Sequence, residues 1–281
     1  VDNVSCTFEA GTLTTLLGPS GCGKTTSLRI IAGLERATSG RILVENEDVT
    51  LLPATDRDVS MVFQSYALFP HMSVLENVSY GLKMINVPKE EFTEKSLETL
   101  KLVNLEGYEN RMPSELSGGQ QQRVAVARAI VLKPKVLLFD EPLSNLDAKL
   151  RRQVREDIRE IQQKLGVTTI YVTHDQEEAL AISDKVIVMN NAIIAQQGSP
   201  KELYNFPKTK FVANFIGDAN VVKAEIINQN NNIYEIQLAE MKINIESDQK
   251  LESSVSVSLR PEKITISKSP EENSIHASVN N

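Results

Sequence analysis

The sequence is poor in several features that would each point to a class of protein. Its two cysteines, Cys6 and Cys22, lack a Cys-x-x-Cys spacing, which argues against a disulfide framework or a zinc cluster. No apolar run approaches the roughly 18–20 residues that span a bilayer, and the first residues do not read as a signal peptide. The net charge of −7 disfavours a nucleic-acid binder held by phosphate contacts.

The remaining composition, 41% hydrophobic and 24% charged, is ordinary for a soluble globular protein. A length of 281 residues suggests roughly two domains and allows a sizeable core without disulfides or metals. We therefore expect a soluble, cytoplasmic protein of two parts.

The two parts differ in their apolar patterns. Residues 1–216 alternate strand-like and helix-like runs, which favours an α/β fold with a mainly parallel sheet covered on both faces. The predicted strands are Leu13–Leu17, Val136–Phe139, Thr169–Val172 and Lys185–Met189. The predicted helices are Thr25–Ala32, Gln121–Leu132, Ala148–Leu165 and Gln176–Ser183. Residues 67–123 interrupt this rhythm and are interpreted as a helical insert.

Residues 217–281 read instead as a small all-β unit. Short β-prone runs predict strands at Ala224–Ile227, Ile233–Leu238, Lys242–Ile245, Val255–Leu259 and Lys263–Ile266. The asparagine-rich stretch 228–232 is typical of a turn between the first two.

The segment Gly18–Thr25 fits the phosphate-loop pattern G-x-x-x-x-G-K-[ST], and it follows a predicted strand and opens a predicted helix, as that pattern requires. Glycines let backbone N–H groups turn toward phosphate oxygens, and the helix start adds partial positive charge. Lys24 is expected to reach the β- and γ-phosphates and Thr25 to ligate Mg²⁺. The residues predicted to bind the nucleotide here are Gly18, Pro19, Ser20, Gly21, Cys22, Gly23, Lys24, Thr25 and Thr26. The motif alone names no reaction, because many GTPases and kinases share it.

A second candidate site follows the buried strand at Val136–Phe139. Asp140 and Glu141 would lie at the carboxyl edge of the sheet, where ligands sit in open α/β folds. Asp140 suits the Mg²⁺ shell, and Glu141 suits polarisation of an attacking water. Without the phosphate loop, a charged turn after a strand would be an equally good interpretation.

Further motifs resemble those of the ABC ATPase family, in the family's order. Leu116–Gln120 resembles its signature motif, Val62–Gln64 its Q-loop, Ser144–Asp147 its D-loop, and Val172–Asp175 its switch-histidine segment. The resemblance covers residues 1–216. It implies a P-loop NTPase (RecA-like) core with the ABC helical subdomain, which hydrolyses ATP with Mg²⁺.

The resemblance also implies roles for individual residues. Glu141, His174 and Gln64 would be catalytic, and Thr25, Gln64 and Asp140 would hold Mg²⁺. In this family two subunits form a head-to-tail homodimer, and each completes the ATP site of the other. The residues expected to act on the partner's ATP are Ser117, Gly118, Gly119, Gln120 and Asp147.

Residues 58–74 and 172–179, with Leu259–Glu262, resemble the ATPase subunits of bacterial binding-protein-dependent importers. The resemblance implies an OB-like, TOBE-type C-terminal domain, transmembrane permease partners, an indirect periplasmic solute-binding partner and a peripheral place on the cytoplasmic face of the inner membrane. Polyamine is the first expectation for the solute, with ferric iron or sugar as alternatives. A soluble ABC ATPase of DNA repair or translation, and a non-catalytic regulatory module, are less favoured hypotheses.

Three places depart from the family's pattern. The adenine-stacking aromatic usually precedes the position where this sequence starts, so no residue is assigned to that contact. The β domain is expected to be incomplete, because in the family it normally continues well past the arginine-proline-glutamate element that Leu259–Glu262 matches. Asn191 stands where a turn glycine is common, and a hairpin is still expected because asparagine tolerates a left-handed backbone.

Arg151, Arg155 and Arg159, interleaved with acidic residues, are interpreted as a solvated helix face.

Overall fold

The computed structural model describes residues 1–217, 219–238, 241–247, 250–251 and 253–264. The chain forms two compact units, of which the first is Val1–Glu202 and the second begins at Leu203. These compact units divide after residue 202, whereas the sequence predicts a domain boundary after residue 216. The predicted domain boundary stays a prediction.

Strands and helices alternate along the first unit. Its strands are β1 (Leu13–Leu17), β2 (Leu43–Val44), β3 (Glu47–Asp48), β4 (Val59–Val62), β5 (Val136–Asp140), β6 (Thr168–Thr173), β7 (Lys185–Asn190) and β8 (Ile193–Gly198). Its helices are α1 (Lys24–Ala32), α2 (Val74–Met84), α3 (Lys89–Leu102), α4 (Gly118–Ile130), α5 (Ala148–Leu165) and α6 (Gln176–Ile182). Helix α7 (Pro200–Asn205) follows.

The main sheet has the strand order β4-β5-β6-β1-β7-β8. Its strands are parallel except for β8, which pairs antiparallel with β7. The prediction of a mainly parallel sheet is therefore confirmed. Leu17 lies opposite Thr173, and Asp140 lies opposite Val172, so the segments after β1, β5 and β6 leave the sheet at one edge.

Burial explains why these runs become central strands. All five residues of β1 are buried, because helices cover both faces of the sheet. Helix α5 buries Val154, Ile158 and Ile161, which recur at helical spacing along one face. The prediction of Ala148–Leu165 is correct at both ends, because Asp147 caps the start of the helix and Gly166, with a left-handed backbone, ends it.

Helices α2 and α3 lie within residues 67–123, where a helical insert was expected, and pack with α4 in one apolar core. Helix α4 begins at Gly118, three residues before the predicted start at Gln121, and ends at Ile130. The predicted start was wrong because Ser117 and Gln120 form a capping box, which begins the helix at the glycines.

The hairpin between β7 and β8 confirms the prediction from Asn191. Asn191 has φ 48° and Ala192 has φ 66°, the left-handed backbone that a two-residue hairpin of type I′ requires at both positions. Asparagine adopts it readily, whereas alanine does so at a steric cost.

The second unit contains an antiparallel sheet in the order β11-β10-β9-β12. Its elements are α8 (Lys210–Phe215), β9 (Asn220–Asn230), β10 (Ile233–Leu238), β11 (Met241–Glu246) and β12 (Ser254–Leu259). Ala224, Tyr234, Ile236 and Leu238 form its buried core. The prediction of an all-β sheet here is confirmed.

The last predicted strand, Lys263–Ile266, is wrong at its start. Pro261–Lys263 forms a 3₁₀ turn, because Pro261 fixes φ at a helical value and has no N–H for a strand ladder. Residues 265 and 266 lie outside the described residues, as does the polar tail at 267–281.

Candidate functional site

The loop between β1 and α1 can be built only with glycine at its tight positions. A Cβ on Gly18 would lie 2.3 Å from the carbonyl oxygen of Met189 and 2.7 Å from Sγ of Cys22. Gly21 and Gly23 have φ of 79° and 101°, which L side chains rarely adopt. Gly23 precedes α1 without any side-chain cap. The loop therefore presents an uncapped helix start, which is where phosphate groups bind in proteins.

The ammonium group of Lys24 lies inside this loop. Nζ donates to the carbonyl oxygens of Gly18 at 2.8 Å and Pro19 at 3.0 Å, and the residue is only 4% exposed. A buried ammonium beside an uncapped helix start adds its full charge to the partial positive charge there. This concentration of positive charge favours a multiply charged anion over a neutral ligand.

Thr25 and Asp140 meet at the sheet edge, although they come from different elements. Thr25, in the first turn of α1, donates through Oγ1 to Oδ1 of Asp140, the last residue of β5, at 3.0 Å. Burial raises the pKa of the Asp140 carboxyl, and the hydrogen bond from Thr25 acts in the opposite direction. A partly buried carboxylate with a neighbouring hydroxyl gains from a cation that compensates for lost hydration.

The chemistry of this pair fits Mg²⁺. Hydroxyl and carboxylate oxygens are the hard ligands that Mg²⁺ prefers, and the ion usually takes one or two protein ligands together with substrate phosphates and waters. Among the described residues there is no cluster of three or more His, Cys, Asp or Glu side chains that could hold a metal without such help. The donors present therefore suit a magnesium–nucleotide complex.

Glu141 and His174 form a second pair at the same edge. Oε2 of Glu141 lies 3.0 Å from Nδ1 of His174. Glu141 has φ 46°, an uncommon backbone for this residue, and it is held there by hydrogen bonds to Val172 and from Ser144. Backbone strain of this kind concentrates at functional sites, where neighbouring contacts enforce one side-chain direction.

A cavity of about 60 Å³ opens beside this pair. It has room for water molecules, and its polar walls offer several hydrogen-bond partners. The lining residues are Glu141, Ser144, Arg151, Thr173, His174, Asp175 and Glu178. A carboxylate that borders a polar, water-sized space is suitably placed to act as a general base.

The structure places the Gln64 segment next to the loop after β5. Asn145 donates through Nδ2 to the carbonyl oxygen of Gln64 at 2.9 Å, and Gln64 itself is exposed. Asp147 is also exposed and caps α5, since its Oδ1 accepts from the backbone of Leu150 at 3.0 Å.

The residues Ser117–Gln120 open α4 and pack against the same region. A Cβ on Gly118 would lie 3.0 Å from Leu146, and one on Gly119 would lie 2.9 Å from Leu150. The side chain of Ser117 is exposed at the helix start. Gly118 and Gly119 therefore lie against Leu146 and Leu150, the residues that flank Asp147 in the sequence. The phosphate loop contacts the same sheet edge through the hydrogen bond from Thr25 to Asp140.

The sequence profile described as "ABC transporter" matches residues 1–144. The chain belongs to the ABC transporter family. It is 59% identical over 266 residues to the Fe(3+) ions import ATP-binding protein FbpC of Agrobacterium fabrum, an alignment that covers 95% of this chain and 75% of the relative. The protein of that name from Rhizobium etli is 64% identical over 227 residues, covering 81% of this chain and 64% of the relative.

Solved structures of ABC proteins share the fold. CbiO1 of Clostridium perfringens, part of the ABC transporter complex cbiONQ, has a TM-score of 0.65 at 32% identity and covers 70% of this chain and 81% of its own. The dimeric ABC transporter cassette MJ0796 has a TM-score of 0.62 at 32% identity, covering 70% and 89%. The chain is thus an ATPase with the ABC fold, as the motifs predicted.

Sequence reasoning missed two arginines of this ABC ATPase. Arg128, near the end of α4, donates to the carbonyl oxygens of Tyr66 and Ala67, which follow Gln64 and have positive φ. Arg151 donates to the carbonyl oxygen of Leu146 and to the carboxylate of Asp175, so it does not lie on a merely solvated face. Arg159 likewise pairs with Asp184. Only the position of Arg151 just after the D-loop could have signalled its contacts.

Proposed function

We propose that this ABC ATPase is the subunit that binds and hydrolyses ATP to drive import of ferric iron. The observation that carries the hydrolytic part is the arrangement of two side-chain pairs, Thr25 with Asp140 and Glu141 with His174, at the sheet edge. The relatives named for Fe(3+) import support the transport part.

ATP would bind with its phosphates on the phosphate loop. Lys24 would exchange its bonds to the Gly18 and Pro19 carbonyls for bonds to the β- and γ-phosphates, while N–H groups of residues 20–26 approach the phosphate oxygens. Thr25 and Asp140, with Gln64, would hold Mg²⁺, which neutralises charge on the transferred phosphoryl group.

Glu141 would orient the attacking water and accept its proton. In that role the carboxylate would accept from Nδ1–H of His174 in the contact at 3.0 Å, and this hydrogen bond would fix the direction of the Glu141 side chain. His174, with its side chain 55% exposed, would contact the γ-phosphate. Hydrolysis breaks the bond between the γ-phosphorus and its bridging oxygen and yields ADP and inorganic phosphate.

Completion of the site would need a second copy of this chain. Ser117 stands at the exposed start of α4, whose first residues are glycines, so a partner's γ-phosphate could approach closely. Gly118, Gly119, Gln120 and Asp147 would share this role in trans. The dimeric MJ0796 cassette, also described in a post-hydrolysis state bound to ADP and Pi, supports this arrangement.

The subunit would act through permease subunits at the cytoplasmic membrane face, together with a periplasmic solute-binding protein. Among the residues that the structure describes, no helix combines the length and apolar character that crossing a bilayer requires. The sequence-based expectation of polyamine as the solute is not supported, because the relatives compared above carry a ferric-iron name. The alternative, ferric iron, is the better proposal.

Uptake measurements test the solute directly. Cells whose chromosomal copy carries Glu141→Gln should take up ⁵⁵Fe³⁺ at less than about a tenth of the wild-type rate, since import without hydrolysis cannot cycle. Uptake of radiolabelled spermidine and maltose should be unchanged. Loss of spermidine uptake with normal iron uptake would instead restore the polyamine hypothesis, and no effect on any solute would favour a non-transport ATPase.

A further inference from the structure

The residues immediately before and after His174, Thr173 and Asp175, are both held by hydrogen bonds. Thr173 accepts through Oγ1 from the backbone N–H of Asp175 at 3.0 Å. Asp175 then caps α6, because its Oδ1 accepts from the backbone of Glu177 at 2.8 Å and of Glu178 at 3.2 Å. The position of His174 therefore depends on where these two neighbours are anchored.

The buried carboxylate of Glu178 holds this segment through hydrogen bonds to β6. Its side chain, only 5% exposed, accepts from Oγ1 of Thr173 at 2.8 Å and from the hydroxyl of Tyr171 at 3.2 Å. Burial raises the pKa of Glu178, and these hydrogen bonds oppose the rise. A buried carboxylate is stable only with such partners and a nearby cation. Nε of Arg151, 3.8 Å from Oε1, provides that cation.

Arg151 also contacts the D-loop, Ser144–Asp147. Its Nη2 donates to the carbonyl oxygen of Leu146 at 3.2 Å, and its backbone N–H donates to the carbonyl oxygen of Asp147 at 2.8 Å. In the other direction Nη1 donates to Oδ2 of Asp175 at 3.4 Å. One planar guanidinium thus joins the D-loop to the segment that carries His174.

We propose that Arg151 is a positioning residue for ATP hydrolysis, which holds the D-loop and the His174 segment in one fixed arrangement. This inference rests on the proposed roles of Glu141, His174 and Asp147. Arg151 itself touches no reacting atom.

The matched comparison uses two neighbouring arginines of α5. Arg151→Met removes the guanidinium contacts, whereas Arg152→Met removes a side chain that is 76% exposed and pairs with Glu156 of its own helix. Asp175→Asn keeps the cap of α6, because asparagine also caps helices, but turns an amide or a neutral oxygen toward Arg151. The double variant Arg151→Met/Asp175→Asn completes the set.

Phosphate release from the purified full chain is measured against ATP concentration. We expect Arg151→Met to lower kcat roughly tenfold with KM for ATP within about twofold, since misplacement of a catalytic group affects the chemical step more than binding. Arg152→Met should match wild type. Asp175→Asn should resemble Arg151→Met, and the double variant should lose no more than about twofold beyond either single variant. Circular dichroism at the assay temperature confirms that each variant is folded.

Three results would overturn the inference. These are wild-type kcat in Arg151→Met, equal losses in Arg151→Met and Arg152→Met, and losses that multiply in the double variant, as independent structural damage would give. Glu141→Gln, assayed in parallel, separates the two levels of the argument. If it is inactive while Arg151→Met is normal, only the positioning role fails, and if it hydrolyses ATP normally, the proposed function fails. Should Arg151→Met not fold, Asp175→Asn alone must show the loss in kcat, and its absence overturns the inference.

Discussion

Nδ1 of His174 lies 3.0 Å from Oε2 of Glu141, although 33 residues separate them in the sequence. The contact exists because β5 and β6 are parallel neighbours, so both residues follow the carboxyl ends of adjacent strands. A carboxylate oriented in this way beside a water-sized cavity is the central feature of the proposed hydrolytic site.

Replacement of that carboxylate by an amide should separate binding from hydrolysis. We expect Glu141→Gln to reduce phosphate release at least about 100-fold, because the amide cannot accept a proton from water. ATP binding should persist, since the phosphate loop is untouched. Gel filtration with ATP should then show a trapped dimer. Unchanged turnover would contradict the assignment of Glu141 as the base.

Removal of the Lys24 ammonium should act on binding. Lys24→Ala deletes the buried cation that lies among the loop carbonyls, and we expect affinity for a fluorescent ATP analogue to fall at least about tenfold. Lys133→Ala, at a solvent-facing turn after α4, is the matched control and should bind normally. Retention of full affinity by Lys24→Ala would argue against phosphate binding at this loop.

The second unit depends on a buried arginine. Arg260, 8% exposed, donates to the carbonyl oxygens of Ile216 and Tyr204 and lies 4.2 Å from the centre of the Tyr204 ring. Arg260→Ala would remove these hydrogen bonds and the contact with the Tyr204 ring, and should destabilise the second unit by about 2–4 kcal/mol. Urea unfolding followed by tyrosine fluorescence measures the change.

Lys242→Ala serves as the control for Arg260→Ala. Lys242 is 65% exposed and its distance to Glu235 is 4.0 Å, so its removal should change the free energy of unfolding by less than about 0.5 kcal/mol. Equal effects of the two substitutions would show that the contacts of Arg260 do not stabilise this unit.

Asp184 should make stability depend on pH at the acid end. Its carboxylate accepts from Arg159 at 2.6 and 2.8 Å and from the backbone of Leu13 at 2.8 Å. The bonds from Arg159 are the largest cause that lowers the pKa of Asp184 in the folded chain. The stabilisation is therefore complete above the unfolded pKa of about 3.9 and is lost as the pH falls through the lower, folded value.

We expect Asp184→Asn to destabilise the first unit by about 1 kcal/mol at pH 7, a value reduced by partial solvent exposure. The difference from wild type in urea unfolding should shrink below pH 4. Glu160→Gln, whose exposed carboxylate pairs within α5, should show little effect at either pH. A difference for Asp184→Asn that grows on acidification would contradict the sign of the argument.

The sequence by itself determined the parallel sheet, the phosphate loop and the chemistry of each motif. These follow from local information: a short run of three leucines and two β-branched threonines makes β1, glycines permit the turn around Gly21, and carboxylates after β5 suit metal and water. It also determined the hairpin at Asn191, because few residues adopt its backbone easily.

Only the tertiary structure decided which side chains meet. Strand order brought Thr25 to Asp140 and Glu141 to His174, and no spacing in the sequence encodes that order. It also turned Arg151 from an apparently solvated residue into a link between two segments. Periodicity describes one element at a time, whereas contacts such as these depend on how elements from distant parts of the chain pack together.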